Sequence, residues 1–337
     1  MKKLKRIFAV FFCLLLAAGI LGGCGKAESS SISAPSASQS GSKPLKIVTT
    51  IFPEYDWVRE ILGDKADHAE VTMLLDNGVD LHSYQPTADD IIKISDCDLF
   101  LYVGGESDGW VEDALKEATN QNMKVINLLD VLGEQVKEEE VVEGMEGEEE
   151  EEADEEEGPE YDEHVWLSVK NAGTLCNAIT DALEEIDPAN KDAYAANAAS
   201  YLEKLAALDG EYQTVADNAA RKTVLFGDRF PFRYLVDDYG LSYYAAFAGC
   251  SAETEASFET ISFLAGKVDE LGLPCVLTIE GAQHKIAETI VQNTAEKNQS
   301  ILTLDSMQST TSTDVANGTT YLSVMESNLD VLKQALN

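Results

Sequence analysis

Residues 190–222 read NKDAYAANAASYLEKLAALDGEYQTVADNAARK. Ala, Leu, Glu and Lys dominate this stretch and no proline interrupts it, which predicts one long helix. On its N-terminal side the runs KIVTTI (46–51), EVTMLL (70–75), DLFLYVG (98–104) and MKVINLL (123–129) are short, apolar and β-branched. Between them lie the amphipathic stretches DWVREILG (56–63), TADDIIKI (87–94) and GWVEDALKEA (109–118). Strand and helix in alternation imply a parallel sheet with helices on both faces. On its C-terminal side KTVLFG, LSYYAAF, PCVLTIE and QSILTLD alternate in the same way with helical segments such as ASFETISFLAGKVDEL (256–271) and YLSVMESNLDVLKQAL (321–336). The expected fold is therefore α/β: two Rossmann-like lobes with parallel sheets, at 45–187 and 221–337, joined by a long rigid helix at 188–220. Asp187 and Pro188 separate that helix from an earlier one, VKNAGTLCNAITDALEEI (169–186).

The first residues set the destination. Lys2, Lys3, Lys5 and Arg6 precede the apolar run IFAVFFCLLLAAGI, which suits a signal-peptide core better than a span, since a span needs roughly 20 apolar residues. LGGC follows and resembles a bacterial lipobox, making 1–24 a lipoprotein leader that ends at Cys24, the expected acylation site. Residues 25–44 are rich in Ser, Gly and Ala and read as a flexible tether. The expectation is an extracytoplasmic monomer, lipid-anchored through Cys24 to the outer face of the cell membrane.

Of 337 residues 45% are hydrophobic, enough for one large core or two ordinary ones. The formal net charge of −37 argues against a phosphate backbone as partner. Between Glu134 and Glu163 there are 18 acidic residues against Lys137 alone, so the acidity has one concentrated block. That block, 134–163, has the composition of a solvated, disordered loop. Four cysteines remain beyond the leader, without the close pairing of a Cys-based metal site. Small buried hydrophobes are the simplest reading, with Cys250 and Cys275 as the pair to test for a disulfide.

Two α/β lobes make a cleft, and ligands of open α/β sheets sit outside the carboxyl ends of strands. His82, Asp228, Glu280 and Asp305 follow strand-like runs, and His164 ends the acidic block; all five are candidates for one cleft. Thr87 is the expected cap of the helix after His82. Imidazole with carboxylate suits zinc, manganese or iron, whereas carboxylates alone point to calcium or magnesium. Spacing goes no further, because no HExxH or CxxC exists. His68 and His284 are expected to face solvent. Tyr161 and Trp166 flank His164, where aromatic packing would fix the ring, and Arg229 with Arg233 offers a minor anion-binding alternative.

The motifs go further than the spacing. TTIFPEYDWVREILGD, DLHSYQPTADD, DLFLYVGG, DEHVWLSVKNA and LDSMQS with the C-terminal helix resemble the zinc/manganese ABC-transporter solute-binding lipoproteins of the cluster A-I type. The resemblance covers Leu45 to the C-terminus apart from the acidic block. It implies that His82 and His164 coordinate the metal in the interlobe cleft and that a carboxylate after a C-lobe strand, best matched by Asp305, adds a ligand. It implies Zn²⁺ as cargo, with Mn²⁺ or Fe²⁺ as the alternatives, and an ABC permease and ATPase as partners. One departure stands out: where the family has a His or Glu after the first C-lobe strand, FGDRFPFRYLVDDYGL places Gly227. Asp228 is the expected substitute, ahead of Glu280 or water, and its competing role is an ion pair with Arg229 or Arg233.

Two other classes remain. A secreted metallohydrolase would use the same donors with an open coordination position, but no general base or nucleophile set is recognisable. A metal-dependent surface adhesin on the same fold is the other. The resemblance also gives the Glu tract a role, since relatives carry His-rich or acid-rich loops there: it would gather divalent cations weakly beside the cleft, an effect that salt screens.

Overall fold

A computed structural model of the chain describes residues 43–146, 160–251, 255–281 and 284–337. The leader, Cys24 and nearly all of the tether lie outside the described residues, as does the Glu tract at 147–159. Among the described residues no helix is long and apolar enough to cross a membrane.

The N-terminal half alternates β1 (Leu45–Thr49), α1 (Phe52–Leu62), β2 (Ala69–Met73), α2 (Ala88–Ser95), β3 (Leu99–Tyr102), α3 (Val111–Lys116), β4 (Lys124–Asn127) and α4 (Leu128–Leu132). Its sheet is parallel throughout, in the order β2-β1-β3-β4, with Ile47 level with Val71 and Leu99. After α5 (Val169–Ile186) and α6 (Lys191–Asn218) come β5 (Thr223–Phe230), α7 (Arg233–Asp238), β6 (Ser242–Ala248), α8 (Phe258–Leu271), β7 (Cys275–Thr278), α9 (Lys285–Asn293), β8 (Ser300–Thr303), α10 (Ser312–Ala316) and α11 (Tyr321–Ala335). The second sheet is again parallel and repeats the first order as β6-β5-β7-β8. Buried on both faces, such strands read as continuous apolar runs such as LFLY in β3 and CVLT in β7.

Helix α6 has 28 residues, a length of roughly 42 Å at 1.5 Å per residue. Tyr194, Ala198, Tyr201, Leu205, Leu208, Tyr212 and Ala216 are its buried positions, a stripe that recurs every three or four residues along one face. The stripe lies on α5, α1 and α11, so one helix braces elements of both halves. Two polar contacts fix its docking. Asn197 Nδ2 donates to the Ile61 carbonyl at 3.0 Å, and Tyr212 Oη donates to the Met325 carbonyl at 2.6 Å. Gly63 ends α1 at φ +55°, and a Cβ there would come within 2.4 Å of the Asn197 side chain.

The capping residues hold the loops that matter. Thr87 caps α2 in a reciprocal box with Asp90, and Ser168 caps α5 through the Asn171 amide. Both caps lie just after a histidine motif. The described stems of the acidic block pair with each other, as Glu138 bridges Tyr161, Glu139 donates its N–H to the Glu160 carbonyl and Asp162 donates to Lys137. Residues of the first stem then run onto the second sheet, where the Glu146 N–H donates to the Ala246 carbonyl.

Cys250 and Cys275, the pair singled out for a disulfide, are both free thiols, one in the loop after β6 and the other inside β7. Of the two histidines expected in solvent, His68 is exposed. His284 is not: it is half-buried at the start of α9, and its Nδ1 has no partner among the described residues.

Candidate metal centre

His82 and His164, 82 positions apart in sequence, meet with their Nε2 atoms 3.1 Å from each other. His82 sits in a short 3₁₀ turn, Leu81–Ser83, between β2 and α2. Asp80 caps that turn by accepting the His82 N–H at 3.0 Å. His164 precedes the 3₁₀ turn Val165–Leu167 that leads into α5, and its side chain is fully buried.

The tautomers follow from the neighbours. His164 Nδ1 lies 3.0 Å from Asp162 Oδ1, and an ionised carboxylate only accepts, so Nδ1 carries the hydrogen. His82 Nδ1 lies 2.8 Å from Ser107 Oγ and 3.4 Å from Glu163 Oε2, a buried oxygen with no hydrogen-bond partner of its own. The hydrogen belongs on Nδ1 there too. Both Nε2 lone pairs then point at one spot. Two lone pairs that close repel unless a cation lies between them, and carboxylate-backed imidazoles are the usual arrangement of histidine ligands. Two nitrogens each about 2.05 Å from a tetrahedral zinc ion stand roughly 3.3 Å apart, close to the separation seen.

Burial and the neighbouring His164 charge push the His82 imidazole down to about 3. Burial acts the same way on His164, but the Asp162 charge and hydrogen bond outweigh it and hold this imidazole above its ordinary value. Of the two rings, His164 is therefore the one that takes up a proton first as pH falls. Trp166 lies against His164 with ring centroids 5.3 Å apart and donates from Nε1 to the Ser306 carbonyl at 2.9 Å, so packing fixes the ring and ties it to the second lobe. Tyr161 instead is 45% exposed at the mouth of the cavity.

The carboxylates after the C-lobe strands are engaged elsewhere. Asp228 accepts the Arg229 N–H at 2.9 Å and the Ile279 N–H at 3.3 Å, and burial raises its carboxyl. Asp305 accepts the Met307 N–H at 2.7 Å; burial and the adjacent Glu280 charge push it up to about 6. Glu280 accepts from Ser306 N, Ser306 Oγ and Gln308 N, and among the described residues no arginine pairs with it. Gly227 packs against α9, where a Cβ would come within 2.6 Å of Ala287 Cα, so the position does not open on the cleft. The strand pairing is shifted between Phe226 and Arg229, which brings Arg229 out toward the histidines. Its guanidinium meets Asp80 Oδ2 at 2.6 Å, and Arg233 meets Glu140 at 2.8 Å, so neither is left for an anion.

What the C-terminal lobe does bring to the histidines is Cys250. A nitrogen from each histidine and Cys250 Sγ lie within 4.8 Å of one another, a group that includes neither Asp228 nor Asp305. His82 sits between β2 and α2, His164 in the connection between α4 and α5, and Cys250 after β6, and no spacing rule joins positions 82, 164 and 250. Beside them is a cavity of about 270 Å³ lined by His82, Ser107, Glu139, Glu163 and Cys250 among others.

The model of the family described as zinc-uptake complex component A, periplasmic, matches residues 47–335. The high-affinity zinc uptake system protein ZnuA of Bacillus subtilis is 32% identical over 337 residues, covering 99% of this chain and 98% of that protein. The zinc-binding lipoprotein AdcA of Streptococcus pneumoniae is 32% identical over 294 residues, covering 86% of this chain and 55% of AdcA. The chain thus spans about half the length of that relative. The crystal structure of the Zn(II)-bound ZnuA-like domain of the same AdcA aligns with a TM-score of 0.68 at 31% identity, over 87% of this chain and 99% of that domain.

Proposed function

Because this chain belongs to the family of zinc-uptake complex component A, we propose that it is a high-affinity Zn²⁺-binding protein that hands the ion to an ABC permease and its ATPase for uptake. The observation that carries the reading is the facing pair of Nε2 lone pairs of His82 and His164, 3.1 Å apart, each ring held in that tautomer by a group behind it. The imidazoles provide two borderline donors that suit zinc, with manganese and iron as weaker candidates. Binding here involves no chemistry on the cargo. Asp162 and Ser107 orient the rings, and burial excludes competing water. A lipid anchor at Cys24 would hold the protein near its permease, consistent with the lipoprotein naming of the AdcA relative. The acidic tract would enrich cations near the cavity mouth, since its stem residues Glu160 and Tyr161 line that mouth.

The test is metal analysis of the protein purified without added metal, followed by competition among Zn²⁺, Mn²⁺ and Fe²⁺. One tightly held zinc ion per chain is expected, with binding lost in His82→Ala and in His164→Ala. Unchanged affinity in either variant would overturn the site. Metal-dependent turnover of an ester or peptide would instead indicate a hydrolase.

A further inference from the structure

We infer that Cys250 is a metal ligand, whose thiolate completes from the C-terminal lobe the shell begun by His82 and His164. The inference rests on the metal-binding reading above and adds to it a soft sulfur donor where carboxylates were expected.

Four observations converge. First, Cys250 Sγ is the one C-lobe donor grouped with the histidine nitrogens among the described residues, all within 4.8 Å; a tetrahedral zinc shell asks for S···N of roughly 3.5 Å, inside that limit. Second, the strand-end carboxylates Asp228, Glu280 and Asp305 are bound to backbone N–H groups of their own lobe. Third, the loop is built to approach: a Cβ on Gly249 would lie 3.0 Å from His164 Cε1 and 2.9 Å from the Phe230 carbonyl, so the glycine lets the backbone before Cys250 pack onto the imidazole. Fourth, Glu163 is 2% exposed, lines the same cavity, and its Oε2 is without a hydrogen-bond partner, a buried unpartnered carboxylate oxygen beside His82 that a cation at the site would compensate.

Glu139 fixes the loop, its Oε1 accepting the Cys250 N–H at 3.1 Å. Coordination breaks the S–H bond, the sulfur pair goes to the metal, and the proton leaves through the cavity to bulk water. A metal ion drives that step because a coordinating thiol is deprotonated outright. The sulfur also sets selectivity, since thiolate favours zinc over manganese, which prefers carboxylate and water. Of the four described cysteines, Cys97, Cys176 and Cys275 are buried in the core while Cys250 is half-buried at the cavity.

The experiment loads the reduced full chain with Co²⁺ and records its absorption, for the native sequence and for Cys250→Ser and Cys250→Ala. A thiolate-to-cobalt charge-transfer band is expected in the native protein and absent in both variants. Zinc affinity should fall in both by more than the roughly 10–100-fold that loss of an outer partner costs. Zinc should also protect Cys250 from alkylation, a readout that needs no substitution. Stoichiometric Co²⁺ without the band, or alkylation unaffected by zinc, would overturn the Cys250 assignment while leaving the two-histidine site standing. Failure of the native chain to bind any metal would overturn both.

Discussion

Arg229, the penultimate residue of β5 in the C-terminal lobe, places its guanidinium 2.6 Å from the carboxylate of Asp80, which caps the turn carrying His82 in the N-terminal lobe. One ion pair thus couples the lobes two residues from a histidine at the site. Both side chains are mostly out of solvent, at 19% and 22% exposure, so the pair is less screened than a surface one. Arg229→Met should lower unfolding stability by roughly 1.5–3 kcal/mol, the range for a hydrogen bond to a charged group. Urea unfolding checks this, and a value within error of the native protein would show that the latch does not hold the lobes.

Asp162 accepts both the backbone N–H and the Nδ1–H of His164. Asp162→Asn keeps the shape but offers an amide that can turn a donor toward the ring and favour the wrong tautomer. Zinc affinity should drop roughly 10–100-fold, as for other groups behind a ligating histidine. Competition against a chelator measures it, and Asp162→Glu should recover part of the loss.

Acid should release the metal. Asp162 outweighs burial and holds the His164 imidazole above its ordinary value of 6.5, so the proton on it competes with zinc from above that pH downward. His82, pushed down to about 3, stays neutral throughout this window. Apparent affinity therefore falls as pH falls, by about tenfold per pH unit for the imidazole, and a thiol ligand contributes a second proton. Titrations from neutral to mildly acidic pH give the slope; a flat profile would contradict a buried imidazole ligand.

Asp228 and Asp305 separate support from coordination. Their bonds to Arg229, Ile279 and Met307 N–H groups give Asp228→Ala and Asp305→Ala a stability cost of roughly 1–3 kcal/mol from orphaned donors. Zinc affinity should stay within a few-fold of native in both. A loss comparable to His82→Ala would make the residue concerned a ligand.

The glutamate tract is testable apart from the site, provided the deletion spares Glu139, which holds the Cys250 loop. Removing residues 148–157 should slow zinc capture at low metal and low salt while leaving equilibrium affinity unchanged. Added salt should erase the difference, because screening shortens the reach of the tract to about 8–10 Å. Stopped-flow capture by the full chain at two ionic strengths distinguishes this from a structural role.

The sequence by itself determined the layered architecture, the brace and the two histidine motifs. Apolar β-branched runs alternating with amphipathic stretches leave a parallel α/β arrangement as their way of burying both faces. The proline-free run at 190–222 becomes α6, Lys191–Asn218, and the Thr87 cap follows from short-range chemistry. Such features depend on neighbours a few residues apart, which a sequence displays directly. The third donor depends on something else. The irregular pairing between Phe226 and Arg229 breaks the two-residue alternation of β5, so the residue facing the cleft cannot be counted from the strand, and the sequence points to Gly227 and Asp228 instead. Cys250 lies 86 positions from His164 and 168 from His82, with no motif linking them. Only the packing of two parallel sheets, which gathers the β2–α2, α4–α5 and post-β6 connections around one cleft, decided that its sulfur and the two imidazoles would share a site.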